Sequence, residues 1–241
     1  MKYAVIAAGE GSRLAAEGIA EPKPLVRVGG EPLIDRLIRV FMDNEAEEIV
    51  VICNDITSQV SRHLTQIQRD GLNGRPVPLR FVVKSTPSSM HSFYEISSLL
   101  GDRPFCLTTV DTIFREQEFA GYVADFRKTV VEEDSADGLM GVTDYIDDEK
   151  PLYVDTDRDL NITAFLDRSD TCPLISGGIY GLTSSAIDTL RSCIERGESR
   201  MRNFQRALIA DGCRLKAWKF SKVLDIDHAG DILKAEQFLN S

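Results

Sequence analysis

The chain lacks most of the features that announce a specialised class. No run of about 18 apolar residues occurs in its 241, so no membrane-spanning helix is expected. The five cysteines (Cys53, Cys106, Cys172, Cys193 and Cys213) are odd in number, widely spaced and include no C-x-x-C pair. That pattern argues against a disulfide framework and against zinc, and leaves Cys53 and Cys106 as small apolar residues of strands. Basic residues are outnumbered, 28 Lys and Arg against 38 Asp and Glu, for a net charge of −10. Nucleic acid and anionic membrane surfaces are therefore not expected as partners. Internal repeats and low-complexity segments are missing, as are a P-loop, a G-x-S-x-G element and a Cys/His dyad. The opening Met1-Lys2-Tyr3-Ala4-Val5 is too short an apolar stretch for a signal peptide, since it runs straight into Gly9-Glu10-Gly11. A cytoplasmic location is the expectation.

What is present is concentrated at the start. An apolar run, Ala4-Val5-Ile6-Ala7, leads into Ala8-Gly9-Glu10-Gly11-Ser12-Arg13, and Pro22-Lys23-Pro24 follows about ten residues later. Glycines let backbone N–H groups approach an anion closely, and the two cations neutralise it. An acidic chain that handles phosphates needs such a local cationic patch, a divalent metal, or both. The pair Gly9-x-Gly11 alone is weak, and it is a poor dinucleotide fingerprint because Leu14 stands where a third glycine belongs.

Downstream, the hydrophobic pattern predicts strands at Lys2–Ala7, Ile49–Cys53, Leu79–Val83 and Phe105–Val110. Helices are predicted at about 32–44, 56–71 and 93–100, with residues 8–24 read as loop. Strand and helix alternate three times. That implies a doubly wound, mostly parallel, Rossmann-like α/β sheet with helices on both faces. Ligands on such sheets sit beyond the carboxyl ends of strands, where both Gly9 and Asp111 fall. Further helices are expected at 118–130, from about 183 to 197, at 201–211 and at 229–239. Shorter strands are expected at 139–142, 152–154, 162–166, 178–182 and 215–220. One domain over residues 1–241 is the reading, with about 138–182 as a substrate-binding sub-region. The chain ends soon after its terminal helix, so an appended acyltransferase domain is not expected. Trp218 is read as core, His63 as surface or packing, and His91 as a residue that could touch ligand.

The segment from Ala7 to Ile34, A-A-G-E-G-S-R-L followed by P-K-P-L-V-R-V-G-G-E-P-L-I, resembles the signature of the nucleotidyltransferases that join a nucleotide to a sugar 1-phosphate. Those proteins carry A-A-G-x-G-x-R-L, then P-K-P-L, then V-x-G-x-P-L-I. The resemblance implies an NTP-dependent transfer that releases pyrophosphate and uses Mg²⁺. It implies that Ala7, Ala8, Gly9, Glu10 and Gly11 cradle the NTP, with Arg13 and Lys23 as the catalytic cations. Ser88, Ser89 and Met90 lie where the family has its nucleobase-side G-T-A stretch, though Ser88 replaces the glycine. Val110-Asp111-Thr112-Ile113-Phe114 resembles the family's G-D-x-x-F, making Asp111 a metal ligand. Asp225-Ile226-Asp227-His228 resembles its second metal segment, with Asp227 preferred and Asp225 the alternative. Ile162–Arg168 resembles I-x-x-F-x-E-K, which puts Asp167 and Arg168 at the acceptor phosphate. Ser176–Tyr180 resembles the A-G-I-Y turn, which puts Gly178 beside the acceptor.

The implied partners are an NTP and a phosphorylated small molecule. The acceptor is left open among sugar 1-phosphates, choline phosphate, inositol phosphate, a heptose phosphate and an aminoalkyl phosphonate. Homo-oligomerisation is also open. Two other classes compete, a catalytically silent nucleotide-sugar sensor and a nicotinamide-dependent oxidoreductase. Retention of both Lys23 and Asp111 disfavours the first, and the Leu14 mismatch disfavours the second.

Overall fold

Strand β1 (Lys2–Ala7) buries both of its faces. Tyr3, Val5 and Ala7 enter one apolar cluster, and Ala4 and Ile6 enter another. Strand β4 (Glu48–Cys53) divides in the same way, with Ile49, Val51 and Cys53 on one side and Val50 and Ile52 on the other. A strand apolar on both faces needs helices above and below it, which is why these runs read as continuous rather than alternating. The computed structural model of the protein describes residues 1–147 and 150–241. Residues 148 and 149 of the expected sub-region lie outside the described residues.

Between β1 and β4 come α1 (Ser12–Ala16), β2 (Arg27–Val28), β3 (Glu31–Pro32) and α2 (Leu33–Asp43). Then follow α3 (Ser58–Asp70), β5 (Leu79–Val83), α4 (Ser89–Leu100), β6 (Phe105–Thr109), β7 (Thr112–Ile113) and α5 (Glu116–Phe126). The second half holds β8 (Gly138–Thr143), β9 (Tyr153–Thr156), β10 (Ile162–Leu166), β11 (Ile175–Leu182), α6 (Ala186–Glu195) and α7 (Met201–Ala210). It closes with β12 (Leu215–Lys219), β13 (Leu224–Asp225) and α8 (Ala229–Leu239).

Among the described residues, nine strands form one sheet along β10-β9-β11-β6-β1-β4-β5, and β8 branches from β11 to pair with β12. The four strands predicted from the first half, β6, β1, β4 and β5, are mutually parallel. Strand β11 runs antiparallel to both β6 and β8, so the sheet continues without a break into the region around 138–182. Helices α2, α3, α5 and α8 cover one face, where Tyr3, Phe41, Phe114, Phe119, Tyr122 and Phe220 form a ring cluster. Helices α4, α6 and α7 cover the other, around Phe93, Phe105 and Phe204.

Three expectations need correction. Residues 8–24 are not all loop: they contain α1 and the start of a single 3-10 turn, Lys23–Leu25. A five-residue helix is too short to show a period, and buried Leu14 alone anchors it. The helix predicted at 118–130 begins at Glu116 and gives way at Arg127 to a wider π-type turn through Glu132. Trp218 is only partly buried: it packs edge-on against Tyr122 and Phe220 while its indole N–H donates to Asp125 at 2.7 Å.

Candidate active site

At the end of β1 the main chain turns over Gly9–Gly11 into α1. Gly11 has a φ of +65°, and a Cβ there would lie 3.0 Å from the Cβ of Lys23. Only glycine suits both the left-handed backbone and that close approach. The turn thus packs directly behind the lysine. Pro22 and Pro24 flank Lys23, and the Leu25 N–H closes the turn on the Pro22 carbonyl at 2.7 Å. The lysine side chain is 10% exposed. Its Nζ donates to Asp227 Oδ1 at 2.8 Å and pairs directly with Asp111 Oδ2. Arg13 Nη1 donates to Asp227 Oδ2 at 3.0 Å.

Asp111 and Asp227 are far apart in sequence, and a two-strand ribbon brings them together. Strand β7, just after Asp111, pairs antiparallel with β13, matching Thr112 to Asp225 and Ile113 to Leu224. The Ile226 N–H then donates to the Asp111 carbonyl at 3.2 Å, and Ile226 itself is fully buried. The start of α8 fixes the far side. Asp231 accepts from the backbone N–H groups of Asp227 and His228, and Glu17 accepts from His228 Nδ1 and the Ala229 N–H. Glu17 directly follows α1, so Arg13 and Asp227 are tied through a second route.

Burial pulls the Lys23 ammonium towards its neutral form, but Asp111 and Asp227 outweigh it and hold its pKa above the ordinary lysine value. Burial likewise opposes the Asp227 carboxylate, and Lys23 with Arg13 reverses it, leaving that pKa below the ordinary range. Lys23 and Asp227 are therefore both charged at neutral pH.

Two cavities meet at this cluster and share Arg13, Asp225 and Asp227 in their walls. The first, of about 560 Å³, lies over the glycine turn and is lined by Ala8–Arg13, Lys23, Thr86–Ser89 and Thr109–Asp111. The second, of about 640 Å³, lies over the adjoining ends of β8 and β11, with Thr143, Tyr145, Ser176, Gly177 and Lys234 among its walls. Both open at the end of the sheet where β1 and β6 terminate.

Most of the expected site residues meet here: Ala8, Gly9, Glu10, Gly11, Arg13, Lys23, Ser88, Ser89, Asp111, Asp225 and Asp227 all line these cavities. Others do not. Ala7 and Met90 are buried in the two apolar clusters rather than facing the cleft. Gly178 lies in the irregular stretch of β11 with a φ of +69°, facing Thr112, and it is Gly177 that lines the second cavity. Arg168 is exposed and lines neither cavity, and Asp167 is drawn away by Arg202 and Arg206 on α7. His91 bonds Ser88 Oγ through Nδ1 at 2.9 Å instead of facing the cleft, and His63 pairs with Asp35. Sequence reading missed Thr86, whose hydroxyl bonds Ser92, as well as Glu17, Asp231, Tyr145 and Lys234. Of these only Asp231 left a signal: it stands three residues after His228, the spacing of a capping box.

The donor set also decides what cation fits. Asp111 and Asp227 already share one ammonium, so two carboxylates reach a common point beside the first cavity. Among the described residues no three His, Cys, Asp or Glu side chains gather in a metal-holding arrangement. Two carboxylates with room for phosphate oxygens and water suit Mg²⁺, which is rarely caged by protein alone.

The chain is similar to several known proteins. A glucose-1-phosphate cytidylyltransferase from Salmonella typhimurium is 32% identical over 53 residues, which is 22% of this chain and 21% of that one. This chain therefore matches about a fifth of that relative's length. A UTP–glucose-1-phosphate uridylyltransferase, AglF of Haloferax volcanii, aligns end to end, 26% identical over 99% of this chain and 96% of its own. The structure of the inositol-1-phosphate CTP transferase from T. maritima superposes with a TM-score of 0.76 at 18% identity, covering 100% of this chain and 96% of that one, and at that identity it speaks for the fold. The sequence model of the nucleotidyl transferase family matches residues 2–241. Sheet, cleft and terminal helix all fall within that match, and the chain belongs to the nucleotidyl transferase family.

Proposed function

We propose that the protein transfers a nucleotidyl group from an NTP to a phosphorylated small-molecule acceptor, a sugar 1-phosphate being the first choice, and releases pyrophosphate. The observation that carries this reading is the Lys23 ammonium held between Asp111 and Asp227 where two cavities join. An acceptor phosphate oxygen attacks the α-phosphorus. The new P–O bond forms as the bond from the α-phosphorus to the bridging oxygen breaks, and its electron pair leaves with pyrophosphate. The acceptor phosphate is already ionised, so no general base is needed. Catalysis rests on positioning and charge neutralisation.

Backbone N–H groups of the Ala8–Gly11 turn receive the triphosphate, and Arg13 adds a cation at its edge. Lys23 stabilises charge at the α-phosphate as the phosphorus becomes five-coordinate. Asp111 and Asp227 would hold Mg²⁺, which supplies divalent charge to the phosphate oxygens when bound. Ser88 and Ser89, at the start of α4, line the NTP side. The acceptor side is lined by Tyr145, Ser176, Gly177 and Lys234.

A second reading takes CTP and an inositol or choline phosphate, in line with the Asp225-Ile226-Asp227 segment and the likeness to the inositol-1-phosphate CTP transferase. One assay separates the two readings from a silent sensor: four NTPs crossed with a panel of phosphorylated acceptors in Mg²⁺, scored by pyrophosphate. Turnover with one sugar 1-phosphate supports the first reading and turnover with CTP and inositol or choline phosphate the second. Absence of pyrophosphate from every pair would sink both.

A further inference from the structure

The ladder between β1 and β4 ends at the pair Ala7 and Cys53. Beyond it the main chain enters the glycine turn, and its carbonyls have no further strand to bond. The side chain of Asn54, the residue after β4, takes that place. Its Nδ2 donates to the Ala8 carbonyl at 3.3 Å and to the Gly9 carbonyl at 3.2 Å, one N–H for each. Its Oδ1 accepts from the Ile56 N–H at 3.2 Å, so the amide faces the turn with its donor end. The neighbouring Asp55 carboxylate accepts from Ser85 Oγ, which ties the same segment to the end of β5.

A trans peptide plane points its C=O and its N–H in opposite directions. With the Ala8 and Gly9 carbonyls drawn towards Asn54, the N–H groups of Gly9 and Glu10 point away from it. Asn54 lies outside the walls of the first cavity, whereas Ala8, Gly9 and Glu10 belong to them. Among the described residues neither of those two N–H groups has a hydrogen-bond partner, and a Cβ at Gly9 would meet no atom within 4 Å. Two successive free N–H groups beside open space make a concavity suited to an anion.

We propose that Asn54 is a positioning residue for the triphosphate. It holds two carbonyls of the glycine turn back, so that the Gly9 and Glu10 N–H groups face the phosphates before the nucleotide arrives. The inference rests on the reading of this cleft as an NTP site and goes beyond it, because Asn54 acts through the turn and not on the nucleotide itself. Without its two donors each peptide plane is free to rotate, and the preorganisation of the turn is lost.

The test uses the full chain, the variant Asn54→Ser, and inorganic tripolyphosphate as a probe that carries neither base nor acceptor. Serine can still accept from the Ile56 N–H, but its single hydroxyl proton cannot serve two carbonyls. Calorimetric titration in Mg²⁺ should show tripolyphosphate binding about tenfold more weakly to the variant. The KM for the NTP should rise by about the same factor while the KM for the acceptor stays within about twofold. An asparagine with a structural role only would lower the unfolding midpoint and leave both the Kd and the KM in place. In the wild type, an amide-resolved NMR titration with the same probe should shift Gly9 and Glu10 saturably, whether or not the variant folds. A wild type that binds no tripolyphosphate overturns the NTP-site reading and this inference with it. A wild type that binds, with Asn54→Ser binding as tightly or with the Gly9 and Glu10 amides unmoved, overturns the inference alone.

Discussion

Lys23 is held from behind as well as from the front. Its Cβ rests against the Gly11 backbone, and its ammonium is spanned by two carboxylates. A Gly11→Ala substitution would place an L side chain in left-handed backbone and push a methyl group into that contact. We expect it to cost about 1 kcal/mol of stability and to lower turnover by more than that loss explains, because the lysine must shift. Wild-type kinetics in a Gly11→Ala protein would show that the turn does not position Lys23. Asp227 gives a pH signature. Its folded-state pKa is depressed, so the ionised group contributes stability that is fully present above the ordinary carboxylate value and is lost as pH falls through the folded one. Chemical denaturation between neutral pH and about pH 3 should therefore give a flatter acid limb for Asp227→Asn than for the wild type. An unchanged slope would mean that Lys23 and Arg13 do not hold the carboxylate.

At the scale of elements, legibility followed length. Strands β1, β4 and β6 were readable because each is a continuous buried run, and α2 because its apolar residues recur at helical spacing. The ribbon of β7 and β13 was not, because two-residue strands carry no period, yet it is the element that joins Asp111 to Asp227. Motif spacing named both aspartates without being able to show that they meet. Motif matching also misplaced a pair. Strand β10 carries the family-like pattern, but α7 packs against its end, where Arg202 and Arg206 take Asp167 and Arg168 is left in solvent. Arg168→Ala should accordingly leave the KM for the acceptor within about threefold of wild type, since exposed charges contribute little. A rise of tenfold or more would restore Arg168 to the acceptor site.

Over the whole molecule, burial separates the cysteines by reactivity. Desolvation pushes the Cys53 and Cys193 thiols up to about 11 and Cys106 up to about 12. Cys172 and Cys213 are only partly buried. Burial also pushes the Cys213 thiol up, so a thiol reagent at pH 8 should label Cys172 first in the native protein and all five after unfolding. Labelling of Cys53 or Cys106 at the rate of Cys172 would contradict the sheet described above. The proposed function asks a chain of net charge −10 to bind polyanions. Arg13 and Lys23 stand at the strand ends, each set against carboxylates, Asp227 for the first and Asp111 with Asp227 for the second.

The most direct measurement is pyrophosphate release by Lys23→Ala and Asp111→Asn on the NTP and acceptor pair that the wild type uses best, with circular dichroism to confirm folding. Each variant should lose about 10²-fold in kcat, roughly 2.7 kcal/mol of transition-state stabilisation. Near-normal turnover in either folded variant would contradict the assignment of nucleotidyl transfer to this cleft.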